Sequence, residues 1–456
     1  MDATTSLTIG KLWLPIGCLV LAMYFIRIPP EVSGDGRLAF AYATVDHHTL
    51  TVDPYVVESP LIEQDLATFD GHEYMAKPPL PAILAAIPYA ALRILFPPAR
   101  VSDWLWKWAL TVFVSGIAFV VTIMLVEQLA SDAGLPSPRL AALATAVATP
   151  LLVYATFLTA TSVSAALLAG AALAAVRGRG LLVGVLFGAL LSTDTVAASG
   201  AAGALAVVGL DALRSRSVGG TLRIALGVGL GAAPLLLYQA AAFGSPLASM
   251  YAHLTDSQQR AAYADLRIGL PTPDVLAALL ASPRNGLFIV APIALVGSAL
   301  LVRLWPGSTS RRLLVSTGGG AVAALLALAV LPHDLAFWPD RAEYGPRLLV
   351  PILPLLCWPL AALSARVLAW ATFVCAIPQV VAVTIWQPML NPGATYQLGE
   401  IFRRFAGDAT TPSIAGLAIP EFVPMRMQIA QVAFVIGVLV GLGRSALVHM
   451  RPLPTA

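Results

Sequence analysis

The chain has 456 residues, 58% hydrophobic and 11% charged, and its 27 basic and 24 acidic side chains leave a formal charge of +3. This composition excludes a water-soluble globule and offers no footprint for nucleic acid. Apolar runs near or above about 18 residues recur along the length, as membrane-spanning helices require. The expected fold class is an all-α, polytopic membrane protein, a single domain over 1–456.

In chain order, spans are expected at 12–28, 104–126, 140–157, 161–176, 180–195, 197–213, 222–242, 285–303, 313–331, 348–365, 367–386 and 428–447. The first belongs to KLWLPIGCLVLAMYFIRIPP, which resembles the apolar region of a signal peptide. It has no convincing small-x-small cleavage site, so it is read as a retained span. Cys18, Cys357 and Cys375 all lie within apolar runs and read as small buried hydrophobes, not as a disulfide or metal framework.

Segment 80–96, which follows Pro78-Pro79, is the exception among the apolar runs. At 1.5 Å per residue its 17 residues reach about 25 Å, short of the roughly 30 Å hydrocarbon core. If it does not cross and the N-terminus is cytoplasmic, one face receives Arg139, Arg177, Arg179, Arg214, Arg216, Arg223, Arg303, Arg311, Arg312, Arg366, Arg444 and Arg451. Arginine excess of this kind marks the cytoplasmic side. The expected topology therefore has about twelve spans, both termini cytoplasmic, in a plasma (inner) membrane, with 80–96 lying along the outer face.

The outer face then carries a loop over 31–103 with juxtamembrane helices, and further loops near 244–284, 332–347 and 387–427. Most of the 24 carboxylates and five of the six histidines fall there. Long, chemically varied loops on a helical scaffold are where function concentrates. The outer face is expected to be the working face.

In the first loop, Glu31, Asp35, Asp46, Asp53, Glu58, Glu63, Asp65, Asp70 and Glu73 face only Arg37 and Lys77. Most read as a solvated acidic surface. Asp35, just past the first span, is placed to act as a general base toward a lipid-borne substrate. Lys77 precedes the two prolines that open helix 80–96, a position favouring helix initiation. A cation at that positive dipole end is unfavourable by some tenths of a kcal/mol. A phosphate would reverse the sign, and the bland alternative is an ion pair with Glu73 or Asp70. Arg347, after Pro346 in YGPRLLVPILPLL, repeats the arrangement, with Arg341 and Glu343 upstream.

Asp46-His47-His48 allows a divalent metal, though a polar loop without one is the preferred reading and no metal ligand is assigned. His72 could touch substrate hydroxyls or be a solvated loop residue. Trp104, Trp106, Trp108, Trp338 and Trp386 suit an interfacial aromatic belt. Asp194 reads as part of a helix-connecting turn.

Together, the Asp after the first span, DGHEYMAKPPLPAIL and WPDRAEYGPRLLVPILP resemble the GT-C superfamily of membrane glycosyltransferases. The nearest likenesses are bacterial relatives of protein O-mannosyltransferases and lipid A aminoarabinose transferases; YQAAAFGSPLASMY at 238–251 and SPRNGLFIVAPIAL at 282–295 look like the same proteins. The resemblance implies sugar transfer from a polyprenyl-phosphate donor to an acceptor hydroxyl on a glycan, lipid or protein. In its terms Asp35 is the base or orients the acceptor, and Lys77 contacts the lipid phosphate. Arg347 with Tyr344 beside it would assist at the phosphate, as would Arg37. Many such relatives carry Asp-Glu where this chain has Asp35-Gly36, which leaves Glu31 as an alternative base. The rival readings are a secondary transporter, which would show mid-span charges and half-molecule repeats, and a ligase handling lipid-diphosphate-linked glycans.

Overall fold

In the computed structural model, the residues described are 3–25, 32–56, 65–96, 103–257, 260–261, 270–304, 311–330, 344–385, 396–407, 431–438, 440–441 and 443. The first helix, α1 (Ala3–Tyr24), leads to α2 (Val32–Asp46), a hairpin of β1 (Leu66–Phe69) and β2 (His72–Met75), and α3 (Leu80–Leu95). Next come α4 (Trp104–Asp132), α5 (Pro138–Val147), α6 (Ala160–Val176), α7 (Gly180–Leu191), α8 (Thr195–Arg214) and α9 (Val218–Phe243). The chain continues with α10 (Pro273–Ala281), α11 (Pro292–Leu304), α12 (Arg311–Ala329), the irregular α13 (Val350–Ala362), α14 (Ala365–Thr384) and α15 (Gln397–Ala406).

Five helices, in α4, α8, α9, α12 and α14, are long and apolar enough to cross a membrane. Shorter apolar helices occupy the other expected spans as far as 386, and the last, 428–447, falls only partly within the described residues. The protein is a multi-pass membrane protein. One expectation is corrected: the chain is mostly helical but not all-α. The antiparallel hairpin pairs Leu66 with Met75 and Phe69 with His72 inside the first long loop. Its cause is local. Asp70 and Gly71 both have positive φ, 56° and 81°, which suits the two-residue turn that Asp-Gly favours between strands.

Several spans are short because their backbone breaks inside the bundle. After α5, Thr149-Pro150 interrupts the helix, yet every residue from Leu140 to Val147 and from Leu151 to Tyr154 is buried. Irregular backbone at membrane depth is tolerated only when protein surrounds it and satisfies its polar groups. Here a buried polar chain does so. Tyr154 donates to the Tyr344 carbonyl at 3.0 Å, Tyr344 donates its hydroxyl to Gln379 at 2.9 Å, and Gln379 donates to the Val290 carbonyl at 2.6 Å. That chain ties the breaks before α11 and α13 to α14.

Three of the arginines that charge bias assigned to one face are ion-paired: Arg177 with Asp132 at 2.9 Å, Arg139 with Glu127 at 3.0 Å, and Arg312 with Asp211. Helix α2 lies against α3, where Asp46 accepts from Tyr89 at 2.7 Å and from Arg93 at 2.8 Å. Asp46, first of the Asp46-His47-His48 run, is thus engaged by Tyr89 and Arg93, and no group of three or more potential metal ligands occurs among the described residues.

Helices α7 and α9 pack backbone to backbone. A Cβ placed on Gly231 would collide with the Val185 carbonyl, and one on Gly188 with the Val228 carbonyl, whereas Gly229 on the same helix faces open space. Small residues permit such close approach between membrane helices. Gly231→Val is therefore expected to destabilise by about 1–3 kcal/mol through overpacking, while Gly229→Ala is neutral or stabilising by up to about 1 kcal/mol. Thermal denaturation in detergent compares them; equal midpoints for the two variants would refute the close packing.

Candidate active site

The hairpin is what builds the site. Its ladder continues one step past Leu66 and Met75, with the Ala76 amide donating to the Asp65 carbonyl at 2.7 Å. Asp65 and Lys77 thereby emerge on the same edge, and the Lys77 ammonium reaches Asp65 Oδ1 at 2.9 Å. Three ties hold the hairpin in place. Tyr238 of α9 donates to the Met75 carbonyl at 2.6 Å, the Thr255 amide donates to Leu66 at 3.0 Å, and the Val52 amide donates to Glu73 at 2.8 Å. The corner after Lys77 is fixed by the Leu80 amide, which donates to the Ser192 carbonyl at 2.8 Å in the turn between α7 and α8.

Two further cations join Lys77. Arg37 on α2 is 4% exposed. Burial pushes its guanidinium down from the usual range, Arg347 pushes it further down, and Asp65 and Asp194 hold it up. Lys77 behaves alike: burial lowers its ammonium, Asp65 raises it, and Arg347 and Arg37 lower it. Arg37, Lys77 and Arg347 come from three separate parts of the chain and act electrostatically on one another. Asp65 sits among them, 2% exposed, and Asp194 lies at the Arg37 side while also capping α8 by accepting from the Val196 and Ala197 amides at 3.0 and 3.1 Å.

Arg347 is aimed by a sharp corner. Gly345 takes φ 70°, a left-handed conformation that costs glycine nothing, and a Cβ there would press on Val290. The chain then enters α13 through 3₁₀-type bonds, the Leu349 amide donating to Pro346 at 2.7 Å. Leu349 and Ile352, which follow Arg347, line an apolar groove of about 600 Å³ shared with Leu287, Phe288, Leu314 and Val322.

The sequence-based candidates divide. Lys77, Arg37 and Arg347 are brought together. Asp35 is directed to a partner the sequence did not suggest, Lys107 of α4, whose ammonium donates to it at 2.7 Å. Tyr344 is fully buried, and its hydroxyl, donating to Gln379 at 2.9 Å, closes the core hydrogen-bond chain described above. Burial raises that phenol well above its ordinary pKa. His72 is on the hairpin's exposed side, bonded through Nδ1 to Asp53 at 2.8 Å; burial pushes the Asp53 carboxyl up, but a hydrogen bond from the Glu73 amide together with His72 outweighs it and holds Asp53 below the usual carboxylate range. Glu31, Arg341 and Glu343 lie outside the described residues, as does most of 387–427.

Lys77 pairs neither with Glu73, which accepts from Thr68 and Thr255 at 2.9 Å each, nor with Asp70, which forms the turn. The residues missed are Asp65, Lys107 and the electrostatic part of Asp194. For Asp65 a signal existed: an Asp-Gly turn centred on 70–71 sets position 65 opposite 76.

Chemically, three cations acting on one another around a carboxylate suit an anionic group. Charge-assisted bonds of this type are the strong ones, and burial raises their strength by removing competing water.

No protein-family model matches the sequence, and no curated protein matches it. Among solved structures, the fold is similar to that of ArnT from Cupriavidus metallidurans bound to undecaprenyl phosphate. The TM-score is 0.54 and the identity 18%, over 98% of this chain and 78% of that one. The apo structure of the same protein gives a TM-score of 0.48 at 16% identity over the same shares. The likeness is one of fold, and on that footing the chain has the ArnT-like architecture that its resemblance to GT-C membrane glycosyltransferases led one to expect.

Proposed function

We propose that this protein is a membrane glycosyltransferase that moves a sugar from a polyprenyl-phosphate donor to an acceptor hydroxyl at the outer face of the membrane. The observation that carries the reading is the convergence of Arg37, Lys77 and Arg347 on one electrostatically coupled cluster around the buried Asp65. The apolar groove that Leu349 and Ile352 help to line supports it by offering a bed for an isoprenoid chain. The ArnT structure, solved with undecaprenyl phosphate, supports the same class of ligand.

In this reading the lipid phosphate is the leaving group. Charge grows on it as the glycosidic bond breaks, and fixed cations that need no reorganisation stabilise that charge best. The acceptor hydroxyl loses its proton to Asp35 as it attacks, and a single displacement inverts the anomeric centre. Lys107, whose ammonium donates to Asp35 at 2.7 Å, holds that carboxylate in place.

Three outcomes test the reading. Lys77→Met is expected to weaken undecaprenyl phosphate binding by at least tenfold in purified protein, and wild-type affinity in that variant would remove the phosphate site.

The pH dependence has a definite sign. Only the ammonium form of Lys77 attracts phosphate, and burial makes it lose its proton below the ordinary lysine value. Affinity should therefore fall on the alkaline side before pH 10.5 is reached, and Lys77→Arg should move the fall upward. Identical alkaline profiles for wild type and Lys77→Arg would contradict this.

Asp35→Asn is expected to reduce sugar transfer in native membranes by about 10²–10⁴-fold, the range of general base catalysis, with lipid-phosphate binding retained. Full transfer by that variant would remove Asp35 from the mechanism.

A further inference from the structure

Asp65 carries two oxygens with different fates. Oδ1 holds the Lys77 ammonium at 2.9 Å. Oδ2 is buried and meets no hydrogen-bond partner among the described residues. A buried carboxylate oxygen without a donor is costly, and it marks a place where a donor from outside the chain would be bound. A phosphate group ionised at neutral pH supplies acceptors, not donors. The sugar attached to it supplies hydroxyls.

Gly36 lies against that oxygen: a Cβ there would stand 3.4 Å from Asp65 Cβ and 3.9 Å from Oδ2, at ordinary contact distance, so a side chain at 36 would occupy the space beside the oxygen. Position 36 is also where the Asp-Glu pair of the resembling enzymes is interrupted. The carboxylate missing from α2 is matched in space by one that arrives from the start of the hairpin.

We propose that Asp65 is a sugar-binding residue: Oδ1 anchors Lys77 to the lipid phosphate, and Oδ2 accepts a hydrogen bond from a hydroxyl of the sugar that the phosphate carries. This rests on the glycosyl-transfer reading and extends it to the recognition of the donor's carbohydrate. Gly36 is a specificity-determining position by the same geometry, because its lack of a side chain leaves room for that hydroxyl.

The test is competition binding to the full-length protein in detergent, with undecaprenyl phosphate and undecaprenyl-phosphate-linked glucose, mannose, galactose and arabinose as probes. Wild type is expected to bind at least one sugar-bearing lipid about tenfold more tightly than the bare lipid phosphate. Asp65→Asn places an amide donor where Oδ2 accepts, and should cut that preference about tenfold. Its affinity for the bare lipid phosphate should hold or rise, since a negative charge has left a cationic cluster. A purely structural role would lower both affinities together. Gly36→Ala leaves Asp65 in place and should also reduce the preference, which covers the case of an unstable Asp65 variant. A preference unchanged within twofold in both variants overturns the proposal, as does a wild type that binds all five probes equally. A wild type that binds undecaprenyl phosphate not at all removes the proposed function itself, which is a separate result.

Discussion

A lysine at the edge of a membrane protein can keep its charge out of water only if an opposite charge meets it at close range. Lys77 does so through Asp65 at 2.9 Å, and most of the site's construction serves that meeting. The Asp-Gly turn sets the register, the hairpin ladder carries it to the Asp65–Ala76 pair, and Tyr238 and Thr255 fasten the hairpin to the bundle. Burying such a pair is not stabilising in itself, since desolvation offsets much of the attraction. A cluster that adds Arg37 and Arg347 to the same place raises the electrostatic cost of the unliganded state. An anionic ligand relieves it.

The scaffold and the site share one corner. Gly345 turns Tyr344 into the core, where it links Tyr154, Gln379 and Val290, and leaves Arg347 at the head of α13 among the cations. The polar chain satisfies backbone that has left the helical pattern inside the bundle, and the same bend positions a charged side chain at its end. Breaks in the spans are thus tied to the functional end of the molecule, in keeping with irregular membrane backbone being confined to places where protein or a cavity surrounds it.

Particular residues show why some of this was legible. Lys77 and Arg347 stand out because each is a cation beside prolines that open an apolar helix, a conflict visible within a few residues. Arg37 stands out as one of two basic residues in an acidic loop. Asp65 was hidden among nine carboxylates, and its partner is set by a strand pairing that a helix-centred reading of the loop passed over, although Asp70-Gly71 announced it. The Asp35–Lys107 pair links residues on different helices and leaves no mark at any fixed spacing. Tyr344 lies close to Arg347 in sequence, and nothing at that spacing announces the core hydrogen bond it makes to Gln379.

By itself the sequence determined the membrane class and the positions of the apolar helices, because hydropathy is a sum over neighbouring residues. The tertiary structure alone decided which carboxylate meets which cation, that the first loop contains a hairpin, and that residues 37, 65, 77 and 347 share one place. Electrostatic pairing depends on distances of a few ångströms between distant parts of the chain, and those distances exist only once the chain has packed.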